Sequence, residues 1–400
     1  MSFIAARLLS IKPSPTLAIT AKAIELKGQG MNIISLAAGE PDFDTPDNIK
    51  MAAIEGIKKG LTKYTAVSGT VELREAICHK FKRENQLNYH TNEIIVGTGG
   101  KQVIYNLFMA TINQDDEVLI PAPYWVSYPD MVLLSGGTPI TINASMQNGF
   151  KIQPQDLEQA ITAKSKWLIL NSPSNPTGAS YTKKELEAIA NIVRKYPNLH
   201  VMTDDIYEHI IFEGFKFYNL AMIAPDLKDR IFIVNGVSKA YAMTGWRIGY
   251  GAGSKELIDA MSIIQSQSTS NPSSISQFAA LEALSGIQDY IKHNALKFQK
   301  KRDLVLSLIN NIQGLNCYKS EGAFYLFPQC TALFGRKAPT GKVINTSNDL
   351  AQYLLESANV AVVPGIAFGL EGYFRISYAT SEDILIAACK GMDKAIQKLQ

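Results

Sequence analysis

A chain of 400 residues exceeds what one hydrophobic core ordinarily organises, so two domains are expected. Its 39 Lys and Arg are nearly balanced by 36 Asp and Glu, a net charge of +3, and the two signs are interspersed, which leaves nucleic-acid binding no basic stripe to rest on. The four cysteines (Cys78, Cys317, Cys330 and Cys389) make no CxxC pair and are expected as buried reduced thiols, and the five histidines are too scattered for a helix-borne metal site. A disulfide framework, a metal centre and a redox pair are therefore not expected.

At the amino terminus Arg7 and Lys12 precede the first acid, Glu25, but charge and Pro13 and Pro15 break the apolar runs. No signal peptide or membrane span is expected, and the default location is cytoplasmic. Short apolar runs follow at Ile94–Val96, Val118–Ile120, Trp167–Leu170, His200–Met202, Ile231–Val234 and Ile248–Tyr250, rich in β-branched residues and flanked by Gly or Pro. They read as strands buried on both faces. Helical periodicity lies between them, at Lys101–Ile112 and at Lys183–Tyr196, the latter opened by a Thr182–Glu185 capping box. This alternation predicts an α/β fold, a mostly parallel sheet sandwiched by helices, over residues 47–288. A long helix from about Asp289 to Ile312 links to a second region. There Gly322–Phe327, Val360–Val363 and Tyr373–Tyr378 read as strands, with helices at about 347–358 and 382–399, a smaller α+β domain.

Ligands of an open parallel sheet bind beyond the carboxyl ends of its strands, and the residues there form a set. Strand 231–234 leads to Gly236-Val-Ser238-Lys239, with Arg247 eight residues further on. A lysine amine is the side chain that condenses with an aldehyde cofactor, and a nearby guanidinium suits that cofactor's phosphate. Strand 94–96 leads to Gly97-Thr-Gly99-Gly100-Lys101, whose amides at a helix start also suit a phosphate. It lacks the third spaced glycine of a dinucleotide fingerprint, which disfavours an oxidoreductase. Strand 167–170 leads to Asn171-Ser-Pro-Ser-Asn175-Pro-Thr-Gly178, and strand 200–202 to Thr203-Asp204-Asp205-Ile-Tyr207. Each alone is more often a plain turn or helix start than a ligand site. Four at the strand ends of one sheet point to a cofactor.

With these motifs, with Gly39–Phe43 (Gly-Glu-Pro-Asp-Phe) and with Arg375-Ile-Ser-Tyr-Ala379, the whole chain resembles the class I, fold-type I aminotransferases, and within them the bacterial aspartate aminotransferase subgroup. The resemblance implies pyridoxal 5'-phosphate as cofactor, residues 1–46 joined to 289–400 as the small domain, and a homodimer with shared active sites acting on amino acids and 2-oxo acids. It implies Lys239 as the attachment lysine, Asp204 as partner of the pyridine nitrogen, and Tyr207 and Asn175 at the ring hydroxyl. Trp125 would stack on the ring, Arg247 and the amides around Gly99, Gly100 and Lys101 would take the phosphate, and Ser238 would bind the cofactor without an assigned part, the family's phosphate serine position being Gly236 here. Tyr64 would reach the phosphate of the neighbouring subunit, Arg375 would bind the substrate α-carboxylate, and the Gly39 backbone would close over it.

One departure concerns specificity. The best-known aspartate enzymes use a partner-subunit arginine for the distal carboxylate, ahead of a Ser-Asn-Pro like Ser270–Pro272, and this chain has no arginine between Arg247 and Arg302. Lys101 is the candidate in its place, helped by Ser14 and Thr16. A cation at Lys12 accompanies prephenate use in some of the subgroup. The expected reaction is ping-pong amino transfer between L-aspartate and 2-oxoglutarate, with prephenate as a further substrate. A β-lyase or a transaminase for aromatic or neutral amino acids is the alternative enzyme. A regulatory binding module is disfavoured by the intact lysine, aspartate and arginines.

Overall fold

The computed structural model describes residues 3–11 and 15–400, with the side chains of residues 15–18 and 20 outside that description. In chain order the strands are β1 (Ile34–Ser35), β2 (Ile94–Gly97), β3 (Glu117–Ala122), β4 (Thr138–Asn143), β5 (Ser165–Asn171), β6 (His200–Asp204), β7 (Ile231–Gly236), β8 (Gly249–Ala252), β9 (Tyr325–Leu326), β10 (Val360–Ala361), β11 (Val363–Pro364) and β12 (Phe374–Ser377). Seven of them form one sheet in the order β2-β8-β7-β6-β5-β3-β4. Its pairings are parallel except the two that β8 makes, which are antiparallel. The predicted mostly parallel α/β sheet is therefore present.

Alternate residues of each central strand feed opposite faces. Ile94, Val96, Leu119, Leu168, Leu170, Val201, Ile231 and Ile233 join one apolar core, and Ile95, Val118, Ile120, Trp167, Ile169, Met202, Phe232 and Val234 join the other. Burial on both sides is why the strands read as continuous apolar runs. Helices cover both faces. The helix Lys183–Lys195 begins where Thr182 accepts from the Glu185 amide and Glu185 accepts in return from the Thr182 amide. It buries Leu186, Ile189, Ala190 and Val193, one stripe at helical spacing.

The helix Gly100–Thr111 starts hard against β8. A Cβ on Gly249 would lie 2.2 Å from the Gly100 nitrogen, so only glycine in β8 lets the helix terminus come this close to the sheet.

A separate core gathers Leu36, Phe298, Phe324, Val360, Ile376 and Met392 with the antiparallel sheet β11-β12-β9, while β1 pairs in parallel with β10. The helix Asp289–Asn310 runs into this core through Phe298, Val305 and Ile309.

Four expectations need correction here. The predicted strand 360–363 is two short strands on different sheets, broken at Val362, and the predicted strand 322–327 keeps only Tyr325–Leu326 as β9. The last helix stops at Ile396. Cys78 is only partly buried, unlike Cys317, Cys330 and Cys389.

Candidate active site

The carboxyl ends of β2, β5, β6 and β7 open on a cleft of about 690 Å³. Of the predicted set, Gly39, Gly100, Lys101, Trp125, Asn175, Asp204, Tyr207, Ser238, Lys239, Arg247 and Arg375 all line it. Gly99 lies just behind Arg247. Tyr64 does not enter the cleft of its own chain and is 92% exposed. Lys12, Ser14 and the side chain of Thr16 fall outside the described residues.

Lys239 donates from Nζ to the Gly39 carbonyl at 2.6 Å. Burial pushes its amine down to about 8, helped by the Arg375 and Arg247 guanidinium groups and opposed by Glu40 and Asp204. Asp204 ends β6 and is buried, which raises its carboxyl above the ordinary range. The Tyr128 hydroxyl donates to Oδ2 at 2.6 Å and opposes that rise, as do the Ile206 amide and Lys239. The β5 turn is tied to β6 as well: Asn171 donates from Nδ2 to the Asp204 carbonyl at 2.9 Å, and its Oδ1 accepts from the Asn175 amide at 2.8 Å.

Arg375 is 3% exposed. It donates from Nη1 to Asn175 Oδ1 at 2.9 Å and from Nη2 to the Ala37 carbonyl at 2.6 Å, and its Nε has no partner among the described residues. Its guanidinium lies between two rings, 4.6 Å from the centroid of Tyr325 and 5.1 Å from that of Phe368. A buried guanidinium with a spare donor is a receptor for a planar anion.

Lys101, which lines the same cleft, has its Nζ 4.9 Å from the Trp125 ring centroid, with its basicity lowered by burial and by Arg247. Arg247 adopts a left-handed φ of +56°. Gly99 has φ +84°, and a Cβ there would lie 2.4 Å from Arg247 Nη2. The missing side chain thus lets the arginine fold over the first turn of the helix at Gly100, whose leading amides have no acceptor within the helix.

Beneath the strand ends lies a polar cluster. Lys80, fully buried, donates to Glu208 and to Asn85, and approaches Glu84 at 3.4 Å. His209 meets Glu84 at 2.9 Å, and Asn235 of β7 donates to Glu208 at 2.7 Å. Glu84, Glu208 and His209 lie close enough to one another to hold a metal ion, but the Lys80 ammonium already supplies the cation they face. Sequence reasoning missed Tyr128, Tyr325 and this cluster. Tyr128 lies three residues after the expected ring-stacking Trp125; nothing in the sequence marked the other two as site residues.

The sequence model of the family described as Aminotransferase class I and II matches residues 31–390, and the chain belongs to that family. A probable aspartate/prephenate aminotransferase of Rickettsia bellii is 67% identical over 399 residues, covering 100% of each chain. The aspartate/prephenate aminotransferase of Cereibacter sphaeroides is 56% identical over 97% of each. The solved structure of the aspartate aminotransferase from Rhizobium meliloti superposes with a TM-score of 0.97 at 49% identity, covering 100% of each chain. The chain is an aminotransferase, and its cofactor is pyridoxal 5'-phosphate.

The cleft fits that cofactor by its donor set: an amine of lowered basicity for the aldehyde, a buried carboxylate for the ring nitrogen, an indole face, and a guanidinium beside free helix amides for the phosphate. Among the described residues no helix is long and apolar enough to cross a membrane.

Proposed function

We propose that the enzyme transfers the amino group of L-aspartate to 2-oxoglutarate, giving oxaloacetate and L-glutamate in two half-reactions, and that it also aminates prephenate. The observation that carries this reading is the pair of cations lining one cleft, Arg375 with its unpartnered Nε and Lys101 above Trp125. They suit a substrate with two carboxylates. The names of the relatives support it; Ser14, Thr16 and Lys12 remain candidates for added substrate recognition on the resemblance alone.

When bound, the cofactor supplies an electron sink for the charge left on the amino acid's α-carbon. The protein's residues do the rest. Asp204, whose charge the Tyr128 hydroxyl supports against burial, would hold a proton on the ring nitrogen. Arg375 grips the α-carboxylate in a planar fork, with the Gly39 backbone closing over it, and fixes which bond of the α-carbon faces Lys239. Lys239, with an amine near 8, is suited to take a proton from the α-carbon and return it, because its two forms lie close in energy near neutral pH. Asn175 and Tyr207 face the ring hydroxyl, and Trp125 covers the ring. Arg247, Ser238 and the amides of Gly100 and Lys101 would hold the phosphate, whereas the Gly99 amide already donates to the Gly97 carbonyl at 2.8 Å.

Tyr64 belongs to the neighbouring subunit's phosphate in a homodimer. Its exposure, and that of Met51, Ile54, Ile57 and Val71 nearby in the chain, supports a covered face there. We further divide the chain into a large domain at 47–288 and a small one at 1–46 plus 289–400. The core memberships favour this, with Leu36 and Phe298 in one core and Ile49 and Leu284 in the other. Four unpaired cysteines suit a reducing cytoplasm.

The first test is the absorption spectrum of the holoenzyme with L-aspartate added and no oxo acid present. Loss of the long-wavelength band supports aspartate as donor. A band that aspartate leaves unchanged, while aromatic or neutral amino acids abolish it, refutes the dicarboxylate reading. Prephenate turnover by wild type and Lys12→Ala tests the second substrate: none in wild type removes it, and equal rates remove Lys12.

A further inference from the structure

Tyr325 touches both ends of the reaction site. It stands on β9, paired with Ser377 of β12 and therefore beside Arg375 on the same small sheet. It is 1% exposed and lines the cleft. Its ring face carries the Arg375 guanidinium at 4.6 Å. Its hydroxyl lies 2.9 Å from that of Tyr207, which follows β6 of the large sheet. A Cβ on Gly39 would come within 3.0 Å of the same hydroxyl. The group thus fills the corner between Tyr207 and the loop whose carbonyl receives Lys239.

Among the described residues each of these hydroxyls is the other's hydrogen-bond partner. A bond between two hydroxyls uses one proton, so the second must point away from the pair. When Tyr325 donates, the proton left over is that of Tyr207, and a hydroxyl that accepts one hydrogen bond becomes a better donor in the next. In the opposite order Tyr207 donates its one proton to Tyr325 and has none left to donate toward the cleft.

We propose that Tyr325 is a positioning residue with two separable parts: its ring seats Arg375 for the substrate carboxylate, and its hydroxyl donates to Tyr207 so that the Tyr207 proton is directed at the cofactor's ring oxygen. This rests on the reading above, in which Tyr207 faces that oxygen. A donor there favours the oxygen's negative form, so the proton shared between ring oxygen and Lys239 leaves at lower pH.

The test uses holoenzyme of wild type, Tyr325→Phe, Tyr207→Phe and the double variant, measuring the pH midpoint of the visible absorption change without substrate, and KM for L-aspartate. Tyr325→Phe keeps the ring, so KM stays within about twofold while the midpoint rises by roughly 0.3 to 0.7 pH unit, the size of one modest hydrogen bond. Tyr207→Phe raises it further, and the double variant matches Tyr207→Phe alone, because Tyr325 acts through Tyr207. Additive shifts overturn the proposal. So does an unmoved midpoint in Tyr325→Phe when Tyr207→Phe moves it, and this leaves the reading of Tyr207 standing. An unmoved midpoint in Tyr207→Phe overturns that reading and the inference together. Tyr325→Leu tests the ring: KM rises about tenfold or more, and an unchanged KM in a variant that still binds cofactor refutes the seating of Arg375.

Discussion

Replacing Lys239 by methionine should stabilise the cofactor-free protein while abolishing transamination. The ammonium is crowded by Arg375 and Arg247 and withdrawn from water, so its amine falls from 10.5 to about 8. At ~1.4 kcal/mol per pH unit, that drop weighs about 3 kcal/mol against the charged form at pH 7. Partial access to water from the cleft reduces this to about 2 kcal/mol. The lost bond to the Gly39 carbonyl takes back about 1 kcal/mol, leaving a net gain of about 1 kcal/mol and a Tm higher by roughly 1 to 2 °C.

The sign with pH follows from linkage. The folded-state value lies below the unfolded one, so between about 8 and 10.5 the unfolded chain binds more protons and wild type gains stability as pH rises. The variant lacks that gain, so its advantage at pH 7 should shrink and disappear across this window. Thermal unfolding of both proteins, compared at steps from pH 7 to 10, reads this directly, and the difference cancels other titrating groups. A variant less stable at pH 7, or a gap that ignores pH, refutes the reasoning.

Three further outcomes are expected. Tyr128→Phe removes the 2.6 Å donor from Asp204 and lets burial draw its carboxyl higher; kcat should fall roughly 10- to 100-fold, as for the loss of a hydrogen bond to a charged group, with the loss greater at lower pH. Arg375→Lys cannot reproduce the fork to Asn175 and Ala37 and should raise KM for the amino acid by about 100-fold or more in steady-state assays. Lys80→Met leaves Glu208 buried without its cation and should cost about 3 to 5 kcal/mol in urea denaturation, whereas Lys80→Met with Glu208→Leu should recover much of it.

The large sheet was legible because its central strands are buried on both sides and announce themselves as unbroken apolar runs; the residues that end them then marked the cleft. β4 was not, since Thr-Pro-Ile-Thr-Ile-Asn is an edge strand with mostly part-exposed positions and a proline inside. The small strands β9, β10 and β11 have two residues each, too short for any periodicity. Hydroxyl and charge pairings escaped for another reason. Tyr128 and Asp204 are 76 positions apart, Tyr207 and Tyr325 118, and Lys80 and Glu208 128, and a single sequence carries no trace of partners that only the folded chain brings together.

Arg375 and Lys239 are anchored to different sheets, one on β12 and the other after β7. In the proposed reaction an amino acid held by the first while it reacts at the second spans the two as a brace. The reactant is then itself a structural part of the enzyme for the duration of each turnover, and a substrate too short or wrongly shaped to reach both anchors leaves them mechanically independent.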